Sequence, residues 1–196
     1  MKWTDVMGLL GGLALFLYGM QMMSQGLENA AGNKMKQILG KLTSNRFLGV
    51  VVGAVITAVI QSSSATTVMV VGFVNSGLMT LDRAAFILFG QNIGTCITAL
   101  LAAIGANRNA KRTTVVHFSF NIIGTFLFAI LCVVTPLIHW MQSISPDNVP
   151  AQIANLHTLF NIVTTILLLP FGQVLATIAK KILPDRERAK GWKQCV

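Results

Sequence analysis

Charge is the scarcest property of this chain. Only 11% of its 196 residues are charged, 54% are hydrophobic, and the mean hydropathy is +0.68. A soluble domain carries about 25% charged residues, so that deficit excludes an ordinary soluble domain and puts the chain among integral membrane proteins. Acidic residues number six, and none lies inside a predicted span, which removes the paired carboxylates that much acid–base chemistry needs. Between Arg46 and Asp82 there is no charge of either sign. Cysteine is sparse too: Cys96, Cys132 and Cys195 match no zinc or redox spacing and read as small, mostly apolar-segment residues.

The net charge of +9 does not indicate nucleic acid. Basic residues group at Lys34 to Arg46, at Arg108 to Arg112 and from Lys180 to Lys193, each flanking an apolar segment, as loops facing anionic lipid do. Aromatic platforms and a basic recognition helix are both missing.

Against this background one polar cluster stands out. Gln61, Ser62, Ser63, Ser64, Thr66 and Thr67 sit in the middle of the uncharged run. Amides and hydroxyls at that depth are costly in lipid unless something polar binds there. As one helix, residues 47–81 would span about 50 Å against a hydrocarbon core of about 30 Å. The segment must therefore fold back. A re-entrant hairpin with its bend at the polar motif is favoured over two full crossings, since the motif carries no charge, Pro or Gly to mark an exposed loop.

Met7 to Met23, with Gly8, Gly11, Gly12 and Gly19, suits a first membrane helix. Its glutamine- and methionine-rich end, with no small-residue cleavage site, disfavours a signal peptide. Glu28 to Arg46 has the pattern of an amphipathic helix in the interface. Ala84 to Gly105 is interrupted by Gly90-Gln91-Asn92-Ile93-Gly94-Thr95, which predicts an unwound mid-membrane section or, alternatively, a kinked helix with Asn92 bonded to a neighbour. Thr113 to Trp140 and Gln152 to Ile178 are further spans, with a short loop at Ser143 to Pro150. In them His117, Phe120, Asn121, Ile122 and Thr125 recur as His157, Phe160, Asn161, Ile162 and Thr165 at a constant offset of 40. Proton-relay and metal roles are open to these pairs, but interhelical hydrogen bonding fits better. The expected fold is an all-α integral membrane protein over residues 1–183, with a basic cytoplasmic tail over 184–196 and both termini on the cytoplasmic side.

The serines lack a base oriented by a carboxylate, and no nucleotide-binding loop follows the glycines, so an enzyme is disfavoured. Hydroxyls, amides and free carbonyls can instead strip water from a hard cation such as Na⁺ and donate to an anionic oxygen. A helix N-terminus at a hairpin tip adds favourable dipole character for an oxyanion. The residues argue for cation-coupled anion transport without naming the anion.

Gln61-Ser62-Ser63-Ser64-Ala65-Thr66-Thr67 followed by Gly90-Gln91-Asn92-Ile93-Gly94-Thr95 closely resembles the signature of the type II sodium–phosphate cotransporter family. The Gly12 to Met20 stretch, Leu42 to Phe47 and His157 to Asn161 are similar to its bacterial branch, and the likeness runs to about Pro184. The resemblance implies a multi-pass protein of the cell (inner) membrane that moves inorganic phosphate with Na⁺ as coupling ion and without another cofactor. It implies phosphate and Na⁺ contacts at Gln61, Ser62, Ser63 and Ser64, assisted by Thr66 and Thr67, with a cation shell completed by Gln91, Asn92 and Thr95.

Full-length members carry two inverted repeats, each with both motifs, and bacterial members often add a domain that resembles PhoU; here each motif occurs once. The part before Leu81 is similar to a first repeat and Gly90 to Pro184 to the end of a second. The implied state is half of an inverted-repeat fold, acting first of all as an antiparallel homodimer in the bilayer. A second half-size chain as partner, an internally deleted remnant without transport activity, and a non-transporting subunit or scaffold of a phosphate transport system are the alternatives.

Overall fold

Caps and breakers set the helices. The computed structural model describes residues 2–30, 37, 40–43 and 45–184. Helix α1 (Trp3–Ala30) has Asp5 in its first turn, where the carboxylate accepts the Lys2 N–H at 2.9 Å and complements the helix dipole. It contains the expected 7–23 span and is longer at both ends. The interfacial helix expected over 28–46 lies in part outside the described residues, at 31–36, 38–39 and 44, and the basic tail beyond Pro184 lies wholly outside them.

The uncharged run divides into two helices. Asn45 caps α2 (Arg46–Ile60) by accepting the Leu48 N–H at 2.6 Å, and Ser62 caps α3 (Ser63–Asn75) by accepting the Ala65 N–H at 3.2 Å. Only Gln61 and Ser62 separate them. With 15 and 13 residues, each helix is about 20 Å long and short of the roughly 30 Å hydrocarbon core. The bend thus falls inside the motif, as the length argument requires.

Helix α4 (Leu81–Ala102) runs without a break through Gly90 to Thr95, which corrects the expected unwound section. The glycines serve a different purpose. A Cβ on Gly53 would strike the Ile87 backbone, one on Gly90 the Val50 backbone, and one on Gly94 the Ala54 carbonyl. Helices α2 and α4 therefore run parallel and touch backbone to backbone. Where lipid removes the hydrophobic drive between helices, close van der Waals contact of this kind holds them together.

The expected Thr113–Trp140 span is also corrected. Helix α5 (Arg108–Val134) stops because Pro136 lacks an N–H and drives Thr135 into an extended conformation at φ −117°, ψ 154°. A separate short helix, α6 (Leu137–Ile144), follows and buries Leu137, Ile138 and Met141. Asn148 then caps α7 (Val149–Leu168), and a 3₁₀ turn at Leu169–Phe171 leads into α8 (Gly172–Ile182). By length and composition Leu81–Ala102, Arg108–Val134 and Val149–Ile182 can each cross a membrane.

The core forms where these spans cross. Phe89 of α4 meets Phe128 of α5 at 5.6 Å and Phe160 of α7 at 5.5 Å between ring centroids, and Phe128 and Phe160 meet at 5.0 Å. Beside them the Thr125 hydroxyl donates to the Phe89 carbonyl at 2.9 Å. Interhelical bonds of this type contribute about 0.6 kcal/mol each. Against the other face of α3 lies α1, many of whose large apolar side chains, Leu13, Leu15 and Leu17 among them, are exposed.

Candidate functional site

The polar motif sits at the bend between α2 and α3, and its geometry follows from one backbone choice. Gln61 ends α2 in the left-handed region at φ 57°, ψ 24°, its N–H bonded to the Thr57 carbonyl at 2.7 Å. An L residue there costs about 1–2 kcal/mol. The next residue, Ser62, returns to extended backbone and opens α3.

From that bend the motif separates into two groups. Ser62, Thr66 and Thr67 are committed to the fold. The Thr57 hydroxyl donates to the Thr66 hydroxyl at 3.2 Å, which donates to the Ser62 carbonyl at 3.0 Å. The Thr67 hydroxyl donates to the Ser63 carbonyl at 2.9 Å and accepts from Gln91 Nε2 at 2.8 Å. Thr57, Thr66 and Gln91 are at most 1% exposed, so these bonds satisfy groups that water cannot reach.

Gln61, Ser63 and Ser64 are different: among the described residues their side chains make no hydrogen bond. The N–H groups of Ser63 and Ser64, in the first turn of α3, have no intrahelical acceptor either. Ser63, Ser64 and Thr67 line a cavity of about 220 Å³ with Phe16 of α1 and His157 of α7. Here an uncharged set of donors faces open space at the positive end of a helix dipole. Such a set can donate to an oxyanion while its hydroxyl oxygens remain free to accept a cation.

Below the tip, Gln91 and Asn92 are buried on α4, Gln91 fully and Asn92 at 8% exposure. Asn92 donates to the Leu88 carbonyl at 3.2 Å, and its Oδ1 lies 3.2 Å from His157 Nε2. Thr95 turns its hydroxyl to the Gln91 carbonyl at 2.9 Å. The structure thus brings Thr66, Thr67, Gln91 and Asn92 into one connected region with Ser62, Ser63 and Ser64, and leaves Gln61 exposed and outside the cavity lining.

Two members of this region were absent from the residues expected at the site. Thr57 looks like any threonine in an apolar run. His157 carried a signal, the repeated His–Asn spacing, and its partner turns out to be Asn92. The two copies of that pattern share a local bond: Asn121 donates to the His117 carbonyl at 2.9 Å and Asn161 to the His157 carbonyl at 2.8 Å. Both copies also reach α4: His157 meets Asn92 in one, and in the other His117 Nε2 lies 3.9 Å from Cys96 Sγ while Thr125 bonds the Phe89 carbonyl. Among the described residues no group of three His, Cys, Asp or Glu side chains could hold a metal ion.

Residues 15–172 match the family described as Na+/Pi-cotransporter. Among curated proteins, the chain is 33% identical to an uncharacterized protein of Bacillus subtilis, YqeW, over 91% of this chain and 64% of that one. It is 26% identical to the putative inorganic phosphate export protein YjbB of Salmonella typhimurium, over 89% of this chain and 32% of the relative. It is 32% identical to the human sodium-dependent phosphate transport protein 2B, over 70% of this chain and 21% of the relative. The chain thus spans less than two thirds of the length of each of these relatives. No solved structure matches it.

Proposed function

Because the chain belongs to the Na+/Pi-cotransporter family, we propose that it serves sodium-coupled transport of inorganic phosphate across the cell (inner) membrane, as a multi-pass protein. The observation that carries the site assignment is the division of the motif, in which Ser63 and Ser64 keep free polar groups beside a cavity and Gln61 is left exposed at the bend, while their neighbours hold the bend. In this reading the Ser63 and Ser64 hydroxyls and N–H groups donate to phosphate oxygens, and Gln61 closes the rim. Ser62, Thr66 and Thr67 hold the tip in shape and offer oxygen to Na⁺. Gln91, Asn92 and Thr95 complete the cation shell, with Asn92 Oδ1 exchanging its His157 contact for the ion. Anion and cation bound together offset one another's charge in a site without charges of its own.

Sodium binds first and phosphate second, and relative movement of the hairpin then changes the side from which the site is reached. An antiparallel homodimer would bring two such tips to one central site, since the chain carries the motif once. Labelled phosphate flux into proteoliposomes holding only this chain, driven by Na⁺ and then by K⁺, tests the reading. Flux with Na⁺ alone is expected; equal flux with both cations would remove sodium coupling.

A second reading, a non-transporting subunit of a phosphate transport system, rests on the short coverage of the relatives. It predicts a folded, membrane-inserted chain with no flux in either cation.

A further inference from the structure

A pair of cavities lies at the opposite end of α2 from the bend. Its polar member, about 540 Å³, is lined by Arg46, Asp82 and Arg83 with Asn45 and Phe86. An apolar groove of about 440 Å³ shares Arg46, Phe47 and Phe86 with it and continues between α2, α4 and α5 past Val134, Ala129 and Phe126 to Ile122 and Ile93. Both volumes fall within the roughly 300–1,000 Å³ typical of ligand sites. Arg46 is held over the Phe86 ring at 5.7 Å, so this guanidinium stands at the junction of the two. Among the described residues neither Arg46 nor Arg83 forms an ion pair.

Dimensions and charge identify the occupant. From Val134 to Ile122 the groove follows α5 for about 18 Å, close to the roughly 15 Å depth of one leaflet's hydrocarbon. Its head end carries two guanidinium groups against one carboxylate, Asp82. Basic pockets between membrane helices recognise lipid phosphates in this way. We infer that this paired cavity binds one anionic glycerophospholipid, its phosphate between Arg46 and Arg83 and one acyl chain along the α5 groove. A zwitterionic headgroup would bring a cation toward the two arginines and leave only Asp82 to receive it.

Native mass spectrometry of the full chain in mild detergent tests this with dioleoylphosphatidylglycerol and dioleoylphosphatidylcholine. The wild type retains the anionic lipid preferentially, and Arg46→Ala/Arg83→Ala reduces that retention about tenfold or more. Ala129→Trp, which fills the groove and leaves the arginines in place, also reduces it; unchanged helicity by circular dichroism keeps both variants interpretable. Equal retention of the two lipids by wild type, or full retention by the double variant, overturns the site. If inorganic phosphate displaces the lipid while Ala129→Trp has no effect, the cavity is a free-phosphate site. If the lipid-free wild type is a dimer that Ala129→Trp dissociates, the groove is an interface between copies. Either result also overturns the inference, and none of these outcomes bears on the serine tip.

Discussion

His157 Nε2 lies 3.2 Å from Asn92 Oδ1, and the Asn92 amide nitrogen is already committed to the Leu88 carbonyl. Oδ1 is therefore the acceptor and the imidazole Nε2 the donor, which places a proton on Nε2 of a half-buried histidine that also borders the serine cavity. His157→Leu removes the donor that competes with the ion and leaves Oδ1 unpaired until sodium arrives, and should lower the KM for sodium about fivefold to tenfold, the scale of one such bond. His157→Gln keeps a donor and should stay within about twofold. Sodium titrations of phosphate flux separate the two variants.

Ser63→Ala deletes a hydroxyl that holds nothing in the fold. Sodium-dependent phosphate flux should fall by about tenfold or more, while insertion and thermal stability stay within about 0.5 kcal/mol of wild type. Flux assays paired with melting curves check this. Unchanged flux would remove Ser63 from the site.

Gln61 offers a cleaner separation of fold from function. Gln61→Gly relieves the left-handed conformation and should stabilise the protein by about 1 kcal/mol while weakening transport through loss of the amide. Thermal unfolding in detergent measures the first effect and flux the second. A variant that is more stable and fully active would show that the Gln61 side chain plays no part in binding.

The seam between α2 and α4 should tolerate no side chain. Gly90→Val places branched carbons in the Val50 backbone and should prevent stable folding, at a cost of more than about 4 kcal/mol. Gly12→Val on α1, where an added Cβ meets nothing within 4 Å, should insert normally. Yield of monodisperse protein after extraction distinguishes the pair.

Thr164 provides a stability test away from the site. Its hydroxyl is buried with no hydrogen-bond partner among the described residues. Replacing it by the near-isosteric valine should raise stability by about 1 kcal/mol without altering flux. Melting temperature and transport, measured together, report on this.

Much of this architecture was legible in the sequence, because length and charge are blunt physical constraints. A 35-residue uncharged run cannot stay one helix in a bilayer, and a bend at the polar motif gives two legs of similar length. The glycine signal is ambiguous for a specific reason. Gly90 and Gly94 signal either backbone freedom or backbone proximity, and only the position of α2 decides between them. Pro136 ended α5 earlier than hydropathy suggested, since hydropathy cannot see a missing N–H. At the site, the sequence could group the hydroxyls but could not tell the committed ones from the free ones, because that depends on Thr57 and Gln91 approaching from other helices.

The backbone contact between α2 and α4 has a mechanical consequence. With Gly53, Gly90 and Gly94 leaving no slack along that seam, α2 and the part of α4 that carries Gln91 form one closely packed block. Any stroke that opens the cavity to the other side must be taken up where the packing is looser, between this block and α1 on one flank or α7 on the other. Phe16 and His157, one from each flank, are where spin labels would register that stroke.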